Sequence, residues 1–197
     1  MLDKIKEQVK NAPLTKEQSR EQFYKLTEQW GIKHSFDFDE AWEIGEEIRK
    51  RKQFRENITT LESQVLKVGM SKEEMNEANP VKHTFAGGCY IREIFNPANE
   101  LIVTKIHKKE HPFFLMSGSM SILTENGIEY IKAPHQGITK PGTKRVIYTH
   151  EECVFITVHS TENTSIEEVE DEVTCKSYSD LPPDCDILES LKQLELK

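Results

Sequence analysis

Two short segments of the chain carry the side chains best suited to chemistry. In the first, KIHKKEHPFFLM, Lys105 and His107 are two residues apart and share one face of a strand, and His111 follows them. In the second, KPGTKRVIY, Lys144 and Arg145 are adjacent. Imidazoles can bind a metal or move a proton, whereas lysine and arginine keep their charge near neutral pH and bind anions. This mixture predicts a site for an anion rather than for a cation.

Both segments lie in a region that is predicted to be all-β. Between Lys82 and His159 the hydrophobic pattern has a period of two, and turn signals such as Asn126-Gly127 separate short runs. Many short strands of this kind are typical of a sandwich or barrel. The candidate strands are Cys89–Phe95, Leu101–Lys105, Phe113–Leu115, Ser119–Leu123, Glu129–Ile131, Val146–Tyr148 and Cys153–His159.

The N-terminal part is predicted to be helical. Thr15 and Gln18 suit a capping box, and Asp37 or Asp39 can start a second helix whose broken apolar stripe runs to Val65. This arm can pack on its own barrel or pair with the arm of another subunit. Docking of a partner or of nucleic acid is a third alternative.

The C-terminal part is acidic. A short helix is predicted at Ile166–Val173, capped by Thr164 or Ser165, and a last amphipathic helix at Ile187–Leu196. We therefore divide the chain into a helical arm at 1–75, a barrel at 80–160 and a C-terminal segment at 161–197, with a linker at Gly69–Pro80.

Composition excludes several classes of protein. The 197 residues carry a net charge of -8, which argues against non-specific binding of nucleic acid or anionic membranes. No apolar run approaches the roughly 18 residues of a membrane span, and the first residues do not resemble a signal peptide. The four cysteines lie far apart without a CxxC pair and are expected to be free thiols. A cytoplasmic location is therefore expected.

The stretch KIHKKEHPFFLMSGSMSIL, followed by GITKPGTKRVIY, resembles the two conserved motifs of the cupin superfamily. The first motif reads HxHxxxE before an aromatic-aliphatic strand and a glycine turn, and the second reads PxGxxH. The resemblance implies a cupin-type jelly-roll β-barrel. With the N-terminal helical arm and the short C-terminal helices predicted above, the chain is expected to be α+β. In that family the two motifs lie on neighbouring strands, and their histidines and glutamate usually hold a divalent metal inside the barrel.

The chain departs from these motifs at the metal positions. Aligned on the glycine turn, the two histidine positions fall on Lys105 and His107, and the glutamate position falls on His111. Aligned on the Pro-Gly pair, the last histidine position falls on Arg145, or on Lys144 after a slip of one residue. Two of the four positions thus carry cations, which are poor metal ligands.

We accordingly expect no cofactor, and any divalent metal would depend on His107 and His111. A catalytic zinc site normally has three protein ligands, and His159 is the best candidate to complete such a set because it shares strand parity with Phe155 and Thr157. The other candidates are His135 and His150.

Cations gathered in a barrel interior would repel one another unless an anion were bound. The predicted ligand-binding residues are Lys105, His107, His111, Arg145, Lys144 and His159. The alternative is an ordinary salt-bridge network with Glu93, Glu110, Glu129 or Glu151.

The wider stretch from HTFAGGCYIREIF to CVFITVH looks like a group of cupin-like proteins found in bacteriophage genomes. That resemblance implies a host bacterial cytoplasm and a non-catalytic barrel that binds a phosphate-bearing ligand, such as a host signalling nucleotide used in defence. One alternative is a metal-dependent or metal-free cupin enzyme, of isomerase or hydrolase type, acting on a small acid or sugar phosphate with His107 or His111 as base. Another is a phage structural or assembly protein. A homo-oligomer is expected in each case.

Overall fold

The alternating pattern of the central region folds into short antiparallel strands. The computed structural model describes residues 14–31, 37–68, 74, 77–189 and 191. The strands of these residues are β1 (Val81–Ala86), β2 (Cys89–Asn96), β3 (Leu101–Val103), β4 (Ile106–His107), β5 (His111–Ser117), β6 (Ser119–Thr124), β7 (Gly127–Lys132), β8 (His135–Thr139), β9 (Val146–Thr149), β10 (Cys153–Ser160) and β11 (Thr174–Cys175). The helices are α1 (Lys16–Trp30), α2 (Phe38–Val68) and α3 (Ile166–Val173).

The strand order is that of a jelly roll. One sheet has the order β1-β2-β10-β5-β8, the other has the order β3-β9-β6-β7, and β4 pairs with β11. Apart from β1, each sheet contributes four antiparallel strands, and consecutive strands of these two sheets lie in opposite sheets except at the β6–β7 hairpin, which is the double Greek key of a jelly roll. The predicted α+β chain with a cupin-type jelly-roll barrel is confirmed.

All seven predicted strands are present in the barrel region, but the structure differs from the prediction in the length of one strand and in containing further strands. The predicted strand Leu101–Lys105 ends at Val103, and β1, β4, β8 and β11 were not predicted. Strand β8 contains Gly137, a residue that normally weakens a strand. Its glycine is required because a Cβ at this position would collide with the ring of Phe113. The glycine that Phe113 requires therefore makes β8 unrecognisable as a strand from its own sequence.

Two tight connections fix the register of the strands. Gly118, between β5 and β6, has φ +79°, and a Cβ there would collide with the backbone of Glu152 and with Cys153 Sγ. The predicted hairpin at Asn126-Gly127 joins β6 to β7, but its two-residue loop is Glu125-Asn126, because Thr124 pairs with Gly127.

The first of two compact units ends at Glu47. The predicted capping box is confirmed, because the Gln18 backbone N–H donates to Thr15 Oγ1 at 3.2 Å and the Thr15 N–H donates to Gln18 Oε1 at 3.0 Å. The ring of Phe38 lies 5.6 Å from Phe23, so aromatic packing joins α1 to the start of α2.

The second unit begins at Ile48 and contains the rest of α2 together with the barrel. Within it, Arg51 and Arg55 of the helix form salt bridges with Glu125 at 2.5 Å and 2.7 Å. This part of the arm therefore packs on its own barrel, which was the first of the three alternatives. The finer division of the chain at residues 75 and 160 stays a prediction.

The C-terminal segment continues this unit. Helix α3 has its predicted bounds and is capped by Ser165, whose Oγ accepts from the Glu168 N–H at 3.3 Å. Val169 and Val173 of α3 pack with Tyr90 of β2. The predicted last helix, Ile187–Leu196, lies largely outside the described residues, as does most of the predicted linker. No described helix has the length and hydropathy needed to span a membrane.

Candidate functional site

The inner face of the larger sheet is apolar at one end and polar at the other. Phe155 and Leu115 belong to the hydrophobic core, whereas farther along the same strands Thr157, His159 and His111 are buried. Since side chains two apart share a face, these polar residues follow the core residues on the inner side. The alternation of side chains along the strands thus places His111 and His159 inside the barrel.

His107, His111 and His159 form the histidine cluster. The ring of His111 lies between the other two, with centroids 4.5 Å from His107 and 4.1 Å from His159. Strands β4, β5 and β10 supply one histidine each, so the cluster depends on tertiary packing. The structure therefore brings together the three predicted histidines.

Burial keeps the cluster uncharged at neutral pH. It lowers the pKa of His107 from 6.5 to about 2, and repulsion from His111 and Arg145 adds to the shift. Burial likewise lowers the pKa of His111 to about 4, with Arg145 acting in the same direction. Burial, His111 and Arg92 lower the pKa of His159 to about 4. The three rings are consequently neutral donors and acceptors of hydrogen bonds.

Arg145 is the predicted cation that does enter this interior. Its side chain is buried, its Nη2 donates to Thr139 Oγ1 at 2.6 Å, and its guanidinium lies 5.1 Å from the centroid of the Phe113 ring. Burial lowers the pKa of Arg145 to about 10, although Glu129 acts in the opposite direction. No described carboxylate forms a salt bridge with this guanidinium.

Arg92 is a further cation on the inner side of the sheet, and sequence reasoning missed it. It pairs across the sheet with Thr157, and burial lowers its pKa from the ordinary value. Among the described residues it has no salt-bridge partner. The signal was available in β2, because Tyr90, Arg92 and Ile94 share a face in the segment CYIREIF, where a lone arginine stands between two inward-facing residues.

The structure places the two predicted lysines in salt bridges outside the histidine cluster, and their role in binding a ligand stays a prediction. Lys105 is 48% exposed and forms a salt bridge of 2.7 Å with Glu170 of α3. The parity argument is wrong here because the extended conformation stops at Val103 and resumes only at Ile106. Lys144 is buried, but it pairs with Glu62 of α2 at 2.5 Å.

The salt-bridge alternative therefore holds for the two lysines and fails for Arg145. The partners of the lysines are not the four glutamates that were expected. Glu110 instead pairs with Lys140 on the surface. The choice between Lys144 and Arg145 as the inward residue is resolved in favour of Arg145.

Helix α3 and strand β11 lie beside the polar end of the barrel. Thr174 of β11 pairs with His107 of β4, and Lys109 forms a salt bridge with Glu172 of α3. Together with the contact between Lys105 and Glu170, these interactions hold the C-terminal segment against the strand that carries His107. The segment thus contributes to the burial of the histidine cluster.

The donor set does not fit the divalent metal that the cupin resemblance implies. No carboxylate joins the three imidazoles, and the described part of the chain has no group of three or more His, Cys, Asp or Glu side chains placed to hold an ion. Arg92 and Arg145 disfavour a metal cation for the same electrostatic reason that they disfavour a proton on the rings. The predicted absence of a cofactor stays a prediction.

Comparisons with known proteins give similarities at the level of structure alone. No protein-family model matches the chain, and no curated protein matches it either. Among solved structures, ectoine synthase from P. lautus is 12% identical with a TM-score of 0.42, over 54% of this chain and 87% of that one. A cupin-2 domain protein from Shewanella frigidimarina is 11% identical with a TM-score of 0.35, over 41% and 78%.

Acetylacetone dioxygenase from Acinetobacter johnsonii is 18% identical with a TM-score of 0.37, over 42% of this chain and 59% of that one. At these values the similarities carry no inference about what the chain binds or catalyses. The assignment of the cupin-type jelly roll accordingly rests on the strand order.

Proposed function

We propose that the barrel is a non-catalytic binding site for a small anionic molecule, of the phosphate-bearing class. One observation carries the proposal: Arg92 and Arg145 both lie on the inner side beside neutral imidazoles, and neither forms a salt bridge with a described carboxylate, although Glu170 and Glu129 act on them at longer range. A buried guanidinium without a counter-charge is unfavourable, and an oxyanion supplies that charge together with acceptors in the planar geometry that arginine matches. The anion would therefore relieve an unfavourable feature of the free protein.

Substitution of Arg145 tests whether this residue binds the anion or only stabilises the fold. In Arg145→Met, the affinity for inorganic phosphate measured by isothermal titration calorimetry is expected to fall at least roughly thirty-fold, since losing one partner of a buried charge pair costs about 2–5 kcal/mol. Arg92→Met is expected to behave similarly. Arg20→Ala, which removes an exposed arginine paired with Asp39, is the control and should leave the affinity unchanged.

Stability gives the second readout for the same variant. The free energy of unfolding of Arg145→Met should stay within about 1 kcal/mol of the wild type or rise, because the methionine retains the packing and removes a buried charge. A loss of about 3–5 kcal/mol, as for a broken buried ion pair, together with unchanged phosphate binding would contradict the proposal.

A nucleotide is one phosphate-bearing ligand that satisfies this chemistry, and the bacteriophage resemblance suggests a host signalling nucleotide. Native mass spectrometry of the untreated protein, followed by denaturing extraction, would identify a copurifying compound and the oligomeric state. A bound phosphate compound would support the proposal. A stoichiometric transition metal would contradict both the proposal and the interpretation of the donor set.

A catalytic role is the second candidate, and one observation favours it. A general base needs an orienting partner, and His111 has one, since its Nδ1 lies 3.1 Å from the Lys109 carbonyl oxygen. The pKa of about 4 makes it a weak base at neutral pH, so binding is the preferred function. Turnover of the copurified ligand by the wild type and its loss in His111→Gln would establish catalysis.

A further inference from the structure

The tautomer of His111 is fixed by its backbone contact. The Lys109 carbonyl oxygen can only accept a hydrogen bond, so Nδ1 of His111 must carry the proton and donate to it over 3.1 Å. Since the ring is neutral at ordinary pH, Nε2 then carries a lone pair and no hydrogen. The side chain therefore offers the barrel interior an acceptor and no donor at this nitrogen.

This acceptor has no hydrogen-bond partner among the described residues. His111 is 1% exposed, and its Nε2 is buried without a hydrogen bond to any described group. Its ring lies in contact with His107 and His159, each of which also has a buried nitrogen without a described partner. A buried acceptor left unsatisfied is unfavourable, so a ligand that completes the site has to bring a donor of its own.

We propose that the site selects oxyanions that carry an O–H group over oxyanions that carry none. This inference rests on the proposed function, because the arginines require the negative charge while Nε2 of His111 requires the hydrogen. Hydrogen phosphate and hydroxy acids meet both requirements, and a phosphomonoester meets them only in its monoanionic form. Sulfate does not, since an unprotonated oxygen would face the lone pair of Nε2. A site built to hydrogen-bond a hydroxyl rejects analogues that lack it far more strongly than an apolar pocket can.

Inorganic phosphate and sulfate form the matched pair of probes, because they share shape and size while only phosphate keeps a proton near neutral pH. Calorimetric titration of the full chain at constant ionic strength is expected to give at least tenfold tighter binding of phosphate. Glycolate and acetate form a second pair. Tighter binding of glycolate than of acetate would extend the selection to hydroxy acids, and binding of phosphate alone would restrict it to phosphates.

The variant His111→Gln tests the assigned residue. Glutamine can turn either its amide oxygen or its NH₂ group toward the ligand, so the preference for phosphate over sulfate should fall to less than about threefold. His150→Gln is the matched control, because His150 is exposed and contacts Ser121 outside the cluster, and it should keep the wild-type ratio.

The outcomes separate this inference from the proposed function. If the wild type binds neither phosphate nor sulfate, the proposed function fails. If it binds both equally well, the inference is overturned and the proposed function stands. Nitrogen-15 NMR of the wild-type histidines gives an independent test that does not depend on the variant folding, since a hydrogen on Nε2 of His111 would also overturn the inference.

Discussion

Acidification from pH 7 to pH 5 is expected to destabilise the barrel steeply. The folded-state pKa values of His111 and His159 are about 4, and that of His107 is about 2, whereas the ordinary value is 6.5. The unfolded chain therefore takes up protons as the pH falls through 6.5, and the folded chain does not take them up until about pH 4. Stability is thus fully present above pH 6.5 and is lost as the pH falls toward the folded-state values.

The free energy of unfolding is expected to fall steeply with decreasing pH because all three histidines contribute to it in the same direction. Each histidine removes about 1.4 kcal/mol from the free energy of unfolding per pH unit while only the unfolded state is protonated. His83, whose pKa is also lowered by burial, acts in the same direction. Glu172, whose pKa is held below its ordinary 4.5 by Lys109, contributes only below that value, so the window from pH 6.5 to 5 reports on histidines.

Urea unfolding at pH 7.5, 6.5, 5.5 and 4.5 measures the slope. His159→Leu should reduce it by roughly the share of one histidine, about 1.4 kcal/mol per pH unit. His150→Gln, an exposed change on another face, should leave it as it is. A free energy of unfolding that stays flat between pH 7.5 and 5.5 would contradict the buried, uncharged state of the cluster.

The sequence predicts the barrel well where the local pattern and the packing agree. The helix at Ile166–Val173 has its predicted bounds because Ser165 caps it and the valines set its buried face. A hairpin is also present at the Asn126-Gly127 signal, although its loop is Glu125-Asn126, one residue earlier than that signal predicts. Strand β8 is missed because Gly137 is required by its contact with Phe113 on the neighbouring strand. The two residues are distant in sequence, so the residues around Gly137 do not reveal this contact.

The candidate site is predicted only in part, for a similar reason. The three histidines follow from motif and parity, but parity fails at Lys105, where the strand is interrupted. Arg92 lies outside both motifs, although its neighbours in β2 place it on the inner face. The tautomer of His111 depends on a backbone oxygen two residues away, whose direction only the folded chain defines.

In the charged part of α2, the sequence likewise does not predict which side chains are buried. The run from Glu46 to Arg55 is strongly charged, which predicts that one face of the helix stays in water. Lys50 and Lys52 are exposed as this predicts, whereas Arg51 and Arg55 are buried. Their carboxylate partners, Glu125 and Asp186, lie 70 to 131 residues away in the chain. No pattern within the helix can reveal such partners, since charge alone does not distinguish a solvated face from a buried ion pair.

Removal of Arg55 is therefore expected to be strongly destabilising. Its guanidinium donates to Glu125 at 2.7 Å and makes a two-pronged contact with Asp186 at 2.7 Å and 2.9 Å, with all three side chains no more than 10% exposed. The ring of Tyr178 lies 4.0 Å beneath it. Arg55→Ala removes the guanidinium that pairs with the buried carboxylate of Asp186, while Glu125 keeps Arg51, and breaking such a buried pair costs about 3–5 kcal/mol.

Denaturant unfolding of the variant measures this cost. Lys52→Ala removes an exposed cation from the same helix and should change the free energy of unfolding by less than about 0.5 kcal/mol. Combining Arg55→Met with Asp186→Asn should recover part of the loss, because Asp186 then has no charge to bury and Glu125 keeps its pair with Arg51. If Arg55→Ala cost under 1 kcal/mol, the helix from Ile48 onward would contribute little to the barrel, and the arm would again be a candidate for pairing between subunits.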